Sequence, residues 1–116
     1  MCGIAGFFLK ASTIKSSATI EKLLGPIESR GPDDQGVVLI NRREEKSSVL
    51  STQKTVPQLR DQYPFFKDEK ILFPHDIAFI HTRFSILDLS PNGHQPFFTQ
   101  DRSVVIVYNG DRKSVV

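Results

Sequence analysis

The sequence predicts a mixed domain of the α+β class, because four short apolar runs read as strands while one stretch repeats with helical spacing. Cys2 to Leu9 is aliphatic and aromatic and reads as a buried strand beginning at the terminus. Lys10 to Ser17 is polar and predicts a loop. A helix follows, since Ile20, Leu23, Leu24 and Ile27 recur at i, i+3, i+4 and i+7. Ser16 or Ser17 supplies its N-cap, and Glu21 falls in the first turn, where a negative charge suits the helix dipole. Gly25-Pro26 predicts a kink or an early end, because proline removes an amide donor and clashes with the carbonyl four residues back. Arg30 to Asp34 reads as a turn, and Val37 to Ile40 as the second strand.

Arg42 to Asp76 has a different character. It is charged at both ends, keeps no sustained period and contains Pro57, Pro64 and Pro74. The expectation is a long surface loop inserted at 42–76, with a small element near Tyr63 to Phe66; insertions of this kind cost little thermodynamically. Ile77 to Ile80 is apolar without alternation, as a central strand covered on both faces should be. Leu87 to Pro96 carries turn residues. Ser103 to Tyr108 is the clearest strand of the sequence and stops at Asn109-Gly110.

The balance of charge excludes several function classes. The 116 residues carry a formal charge of +2, and their basic residues are interleaved with acidic ones. A nucleic-acid partner would call for a basic stripe that this pattern lacks. No apolar run approaches the roughly 20 residues of a membrane helix, and no basic segment precedes Ile4 to Leu9, so neither a membrane partner nor a secretory signal is expected. A single cysteine cannot form an internal disulfide, and a reducing, cytoplasmic location follows as the default.

That cysteine stands at position 2. Removal of Met1 would leave its thiol beside a free α-amine, whose unperturbed pKa of about 7.7–8.0 suits a general base. A nucleophile served by its own N-terminal amine needs no histidine. Read alone, a cysteine near a terminus is first of all a small hydrophobe, and that reading outweighs the catalytic one.

The segments around it carry a resemblance. Met1-Cys2-Gly3-Ile4-Ala5-Gly6-Phe7 resembles the opening of the class II, N-terminal-nucleophile glutamine amidotransferases. Arg30-Gly31-Pro32-Asp33-Asp34-Gln35-Gly36, His81 to Ser90, Gly93-His94-Gln95-Pro96 and Tyr108-Asn109-Gly110 resemble that family's later motifs, in the same order. Within the class, RGPDD and HTRFSILDLSPNGHQP are similar to the asparagine synthetase branch. The resemblance covers 1–40 and 77–110. It implies a four-layer αββα sandwich, two antiparallel sheets between helices, incomplete in this chain.

The resemblance also assigns roles. Cys2 would attack L-glutamine to form a γ-glutamyl thioester. Arg83 resembles the carboxylate clamp, a task that suits the bidentate guanidinium fork. Without the family, Arg83 reads as a surface arginine ending a strand. Phe84, Ser85, Ile86 and Leu87 match the segment that lines the glutamine pocket. Asn109 and Gly110 match the oxyanion hole, where each donor is worth about 3–4 kcal/mol in comparable enzymes; read alone, Asn-Gly between apolar runs is a hairpin signal. Asp111 stands where the family has glutamate, at a position that helps hold the substrate ammonium. For Asp33-Asp34 a capping role outweighs metal binding, and His75, His81 and His94 are too scattered in sequence for a ligand set. Phe65-Phe66 and Phe97-Phe98 read as core or loop anchors.

The implied activity is release of ammonia from glutamine, which in full-length relatives amidates aspartate using ATP. ATP and magnesium would belong to a synthetase domain that the sequence does not contain. The expectation is therefore an incomplete copy whose protein partner is a synthetase domain or a full-length homologue. The competing readings are a truncated, non-catalytic remnant and a class II amidotransferase with a different acceptor.

Overall fold

The computed structural model describes residues 2–84 and 91–108. These form a small domain of antiparallel sheets and two helices. In chain order the elements are β1 (Gly3–Phe8), α1 (Ser17–Ile27), β2 (Asp34–Asn41), β3 (Lys46–Leu50), α2 (Pro57–Arg60), β4 (Ile77–Arg83), β5 (Phe97–Phe98) and β6 (Val105–Ile106), with 3-10 turns at Glu28–Arg30 and Pro91–Gly93. The main sheet has the order β1-β4-β2-β3, and β5-β6 is a separate hairpin. No helix among the described residues is long and apolar enough to cross a membrane.

Alternation along the strands decides what each face buries. Ala5 and Phe7 on β1, Ala78 and Ile80 on β4, and Val37 and Leu39 on β2 share one face, because the register pairs Ala5 and Val37 with Ile80. Ile20 and Leu24 of α1 close over this face together with Leu50, Phe66, Leu72 and Phe73. α1 begins where its sequence predicts: Ser16 Oγ accepts the Ala18 amide at 3.2 Å. Glu21, however, lies beyond the first turn, which holds no acidic residue. The helix continues through Pro26 to Ile27, the last residue of its apolar period, before tightening into the 3-10 turn, so the early end expected at Gly25-Pro26 is not seen.

Three expectations need correction. β1 is an edge strand rather than a buried one; Ile4 and Phe8 point away from the core, and Phe8 is 59% exposed. The 42–76 segment is not a bare surface loop, since it forms β3 and α2 and contributes Phe66, Leu72 and Phe73 to the core. It is also pinned to β2 through buried polar contacts: Thr52 Oγ1 donates to Gln35 Oε1 at 2.5 Å and Thr55 Oγ1 to the Gln35 carbonyl at 2.8 Å. Finally, Ser103 to Tyr108 supplies only the two residues of β6, which pair backward with Phe97–Phe98. The forward hairpin through Asn109-Gly110 lies outside the described residues.

Candidate active site

β4 collects the site at its C-terminal end. β1 runs antiparallel beside it with Gly3 opposite Thr82, so Cys2 arrives where Arg83 and Phe84 leave the sheet. Gly3 permits this closeness: a Cβ there would stand 2.6 Å from Thr82 Oγ1 and 2.7 Å from Ile27 Cβ. Cys2 is half-buried with a free thiol. Its Sγ accepts a hydrogen bond from the Phe84 N–H at 3.5 Å, and its carbonyl accepts one from Arg30 Nε at 3.3 Å.

The Arg30-to-Asp34 turn wraps around the same strand end. The Asp33 amide donates to the Arg83 carbonyl at 3.0 Å, and Asp34 then opens β2 directly across from Arg83. The Asp34 carboxylate is fully engaged. Oδ1 accepts the Gln35 and Val56 amides, each at 2.9 Å, and Oδ2 lies 2.6 Å from His94 Nδ1. These amide contacts are of the kind expected of a capping carboxylate. The ring of His94 in turn stacks on Tyr63, with centroids 6.0 Å apart.

Gly93 to Pro96 forms the lid of this cluster. Gly93 packs on the Arg83 guanidinium so closely that a Cβ would lie 2.5 Å from Nη2 and 2.6 Å from Cζ. Arg83 is accordingly 7% exposed, which departs from the surface arginine of the alternative reading. Gln95 rests its carbonyl against Gly36, and its Oε1 accepts the Tyr108 amide at 2.8 Å. His81 Nε2 sits 3.2 Å from the Tyr108 carbonyl. Burial strips water from the His81 ring and lowers its pKa to about 4, against the opposing pull of the Tyr108 carbonyl. The ring is therefore neutral at physiological pH, and Nε2 carries the proton that it gives to Tyr108.

The structure thus brings Cys2, Arg83 and Phe84 together and adds Asp34, His94, Gln95 and His81 around them. Ser85, Ile86, Leu87, Asn109, Gly110 and Asp111 lie outside the described residues. The Asp34–His94 pair was not foreseen. The only sequence signal for it is that both residues sit in quoted motifs. His75 stands apart, near Phe7 and Phe73, and no three His, Cys, Asp or Glu side chains among the described residues gather as a metal set. A groove of about 320 Å³ between the β2–β3 and β5–β6 turns, lined by Arg42, Lys46, Phe98 and Arg102, contains none of the predicted site residues.

The chain is 28% identical over 125 residues to a protein of Methanocaldococcus jannaschii that bears the name of a glutamine-hydrolyzing asparagine synthetase. That alignment covers 96% of this chain but 18% of the relative, so the chain spans less than a fifth of the relative's length. No solved structure matches. A family model described as a glutamine amidotransferase domain matches residues 40–112, more than half of the chain, though it does not reach Cys2. The chain belongs to the glutamine amidotransferase domain family.

Proposed function

We propose that this chain is the nucleophile-bearing part of an amidotransferase of the asparagine synthetase type, hydrolysing L-glutamine to glutamate and ammonia through Cys2. The observation that carries the reading is the Phe84 amide on Cys2 Sγ, which sets the thiol beside the segment holding Arg83. With Met1 removed, the α-amine of Cys2 takes the thiol proton as sulfur attacks the glutamine side-chain carbonyl. Collapse of the adduct breaks the C–N bond and passes that proton to the departing ammonia. Water then cleaves the γ-glutamyl thioester, giving glutamate and the free thiol. Arg83 holds the substrate α-carboxylate, Phe84 to Leu87 line the pocket, and Asp111 meets the ammonium. Asn109 and Gly110 donate to the oxyanion.

On this reading the fold is the nucleophile half of an αββα sandwich. The exposed side of β1, bearing Ile4 and Phe8, is the face against which a second sheet would stack. The 42–76 segment is an insertion folded back onto the sheet. In a longer protein the ammonia would amidate aspartate with ATP and magnesium held by a synthetase domain, and neither enters a step here. The same exposed apolar residues favour a second reading, a non-catalytic remnant that docks on a full-length homologue.

The test is the intact mass of the untagged chain after incubation with diazo-oxo-norleucine, with Cys2→Ala and Arg83→Ala beside it. One adduct on methionine-free protein, lost in both variants, is the expected result. A folded, methionine-free chain that takes no adduct leaves the remnant.

A further inference from the structure

We propose that the Asp34–His94 pair is the positioning element of the carboxylate clamp, locking the Gly93 backbone over the Arg83 guanidinium and so setting the affinity for the α-carboxylate of glutamine. The proposal rests on the reading of Arg83 as that clamp.

The geometry forms a closed circuit. Asp34 stands directly across the sheet from Arg83, so the two share one strand register. The Asp34 carboxylate cannot swing, because two backbone amides hold Oδ1 while Oδ2 meets His94 Nδ1 at 2.6 Å. Asp34 is 1% and His94 8% exposed, and a pair this deeply desolvated strongly resists being broken, since either partner left alone is costly. Stacking on Tyr63 fixes the plane of the His94 ring. The residue before His94 is Gly93, whose backbone lies on the guanidinium with room for no side chain. Fixing His94 therefore fixes the surface on which Arg83 rests.

An arginine side chain free to sample its rotamers would lose that freedom only on meeting substrate; one already seated loses it during folding and binds more tightly. His94 does not itself face the reaction. Its Nε2 has no hydrogen-bond partner among the described residues and lies against Gly36, 2.9 Å from where a Cβ there would be. It is a positioning residue.

The experiment compares the unsubstituted chain with His94→Leu, Asp34→Asn and the conservative His94→Gln, which keeps a side-chain donor for Asp34. Two reagents are used on Cys2: diazo-oxo-norleucine, which carries an α-carboxylate, and iodoacetamide, which does not. The expected result is a rise of roughly ten- to a hundredfold in the half-saturating concentration of the norleucine reagent. The limiting rate and the iodoacetamide rate should stay near their original values, with His94→Gln intermediate. An unchanged half-saturation, or equal slowing with both reagents, overturns the proposal, because purely structural damage would slow both. Should the unsubstituted chain take no norleucine adduct, the glutamine reading fails by itself. The latch is then judged on solvent exchange of the Arg83 Nε–H by NMR. Faster exchange in His94→Leu and Asp34→Asn supports it, and unchanged exchange overturns it.

Discussion

The Phe84 N–H donates to Cys2 Sγ across 3.5 Å although 82 positions separate the two residues. Strand pairing explains the meeting. β1 and β4 run antiparallel from Gly3 opposite Thr82 to Phe8 opposite Ile77, so the start of one must lie beside the end of the other. Thr82 further ties this corner to the helix by donating its hydroxyl to the Ile27 carbonyl at 2.8 Å. The position of the Cys2 thiol thus depends on how closely β1, β4 and the end of α1 approach one another.

Gly3→Val tests that dependence. Its side chain would enter space held by Thr82 Oγ1 and Ile27 Cβ, and overpacking of this kind costs about 1–3 kcal/mol. The unfolding free energy from urea titration should fall by that amount, and Cys2 labelling by diazo-oxo-norleucine should slow even under conditions where the variant remains fully folded. Labelling that keeps its rate in the folded variant would separate the thiol's placement from the approach of the two strands.

His81 makes the fold sensitive to mild acid. Its pKa is lowered from 6.5 to about 4, chiefly by desolvation. A histidine depressed in the native state leaves the unfolded chain to bind the proton first, so stability is full above pH 6.5 and declines as pH falls toward 4. Between pH 7.5 and 5 the loss from this residue is roughly 2 kcal/mol. Urea titrations at the two pH values should show it, and His81→Gln should remove most of the difference. A slope that survives the substitution would assign the acid sensitivity to other groups.

Arg42 fastens the exposed edge of the sheet. Its Nε reaches Asp76 Oδ2 at 2.6 Å, its Nη2 donates to the Leu9 and Lys10 carbonyls at 3.2 and 3.3 Å, and its guanidinium lies 4.2 Å from the Phe8 ring centroid. Arg42→Met should leave the core intact but let β1 fray, seen as faster amide exchange near Phe8 and Leu9. The Arg42 hydrogen bond holds the Asp76 carboxyl below its ordinary value. Its stabilisation is thus present at neutral pH and lost as pH falls through that lowered value. The exchange difference between the two proteins should accordingly shrink in acid.

The parts of the fold that sequence reading found are those with a strong local period or cap. α1 announced itself by its apolar spacing and by Ser16, and β2 and β4 by apolar runs. β3 escaped because Lys46, Ser47 and Ser48 are polar and only Leu50 is fully buried. The turn before it places Glu45 at a φ of 52° where glycine or asparagine would have signalled a hairpin. The site divides in the same way. Motif order pointed to Cys2 and Arg83, but the contact of Asp34 with His94 is made across 60 positions by tertiary packing, and no local pattern encodes it. Ser103 to Tyr108 is the converse case, a strongly β-forming run that pairs over only two residues because its partner, Phe97–Phe98, is that short.

Gly36→Ala and Gly93→Ala should separate the two duties of the Gly93-to-Pro96 segment. A methyl on Gly36 would run into the Gln95 carbonyl and approach His94 Nε2 at 2.9 Å. Backbone cannot step aside without lifting the segment, so a loss of about 1–3 kcal/mol is expected. A methyl on Gly93 meets instead the far end of the Arg83 side chain, at 2.5 Å from Nη2 and 3.0 Å from Nε. That end can rotate away, so stability should fall by no more than about 1 kcal/mol, while the guanidinium loses its seat. The half-saturating concentration of diazo-oxo-norleucine should therefore rise in Gly93→Ala at nearly unchanged urea midpoint. Measuring both quantities on both variants decides the matter: if Gly93→Ala costs more stability than Gly36→Ala and leaves labelling untouched, Arg83 serves the packing of β4 rather than a ligand.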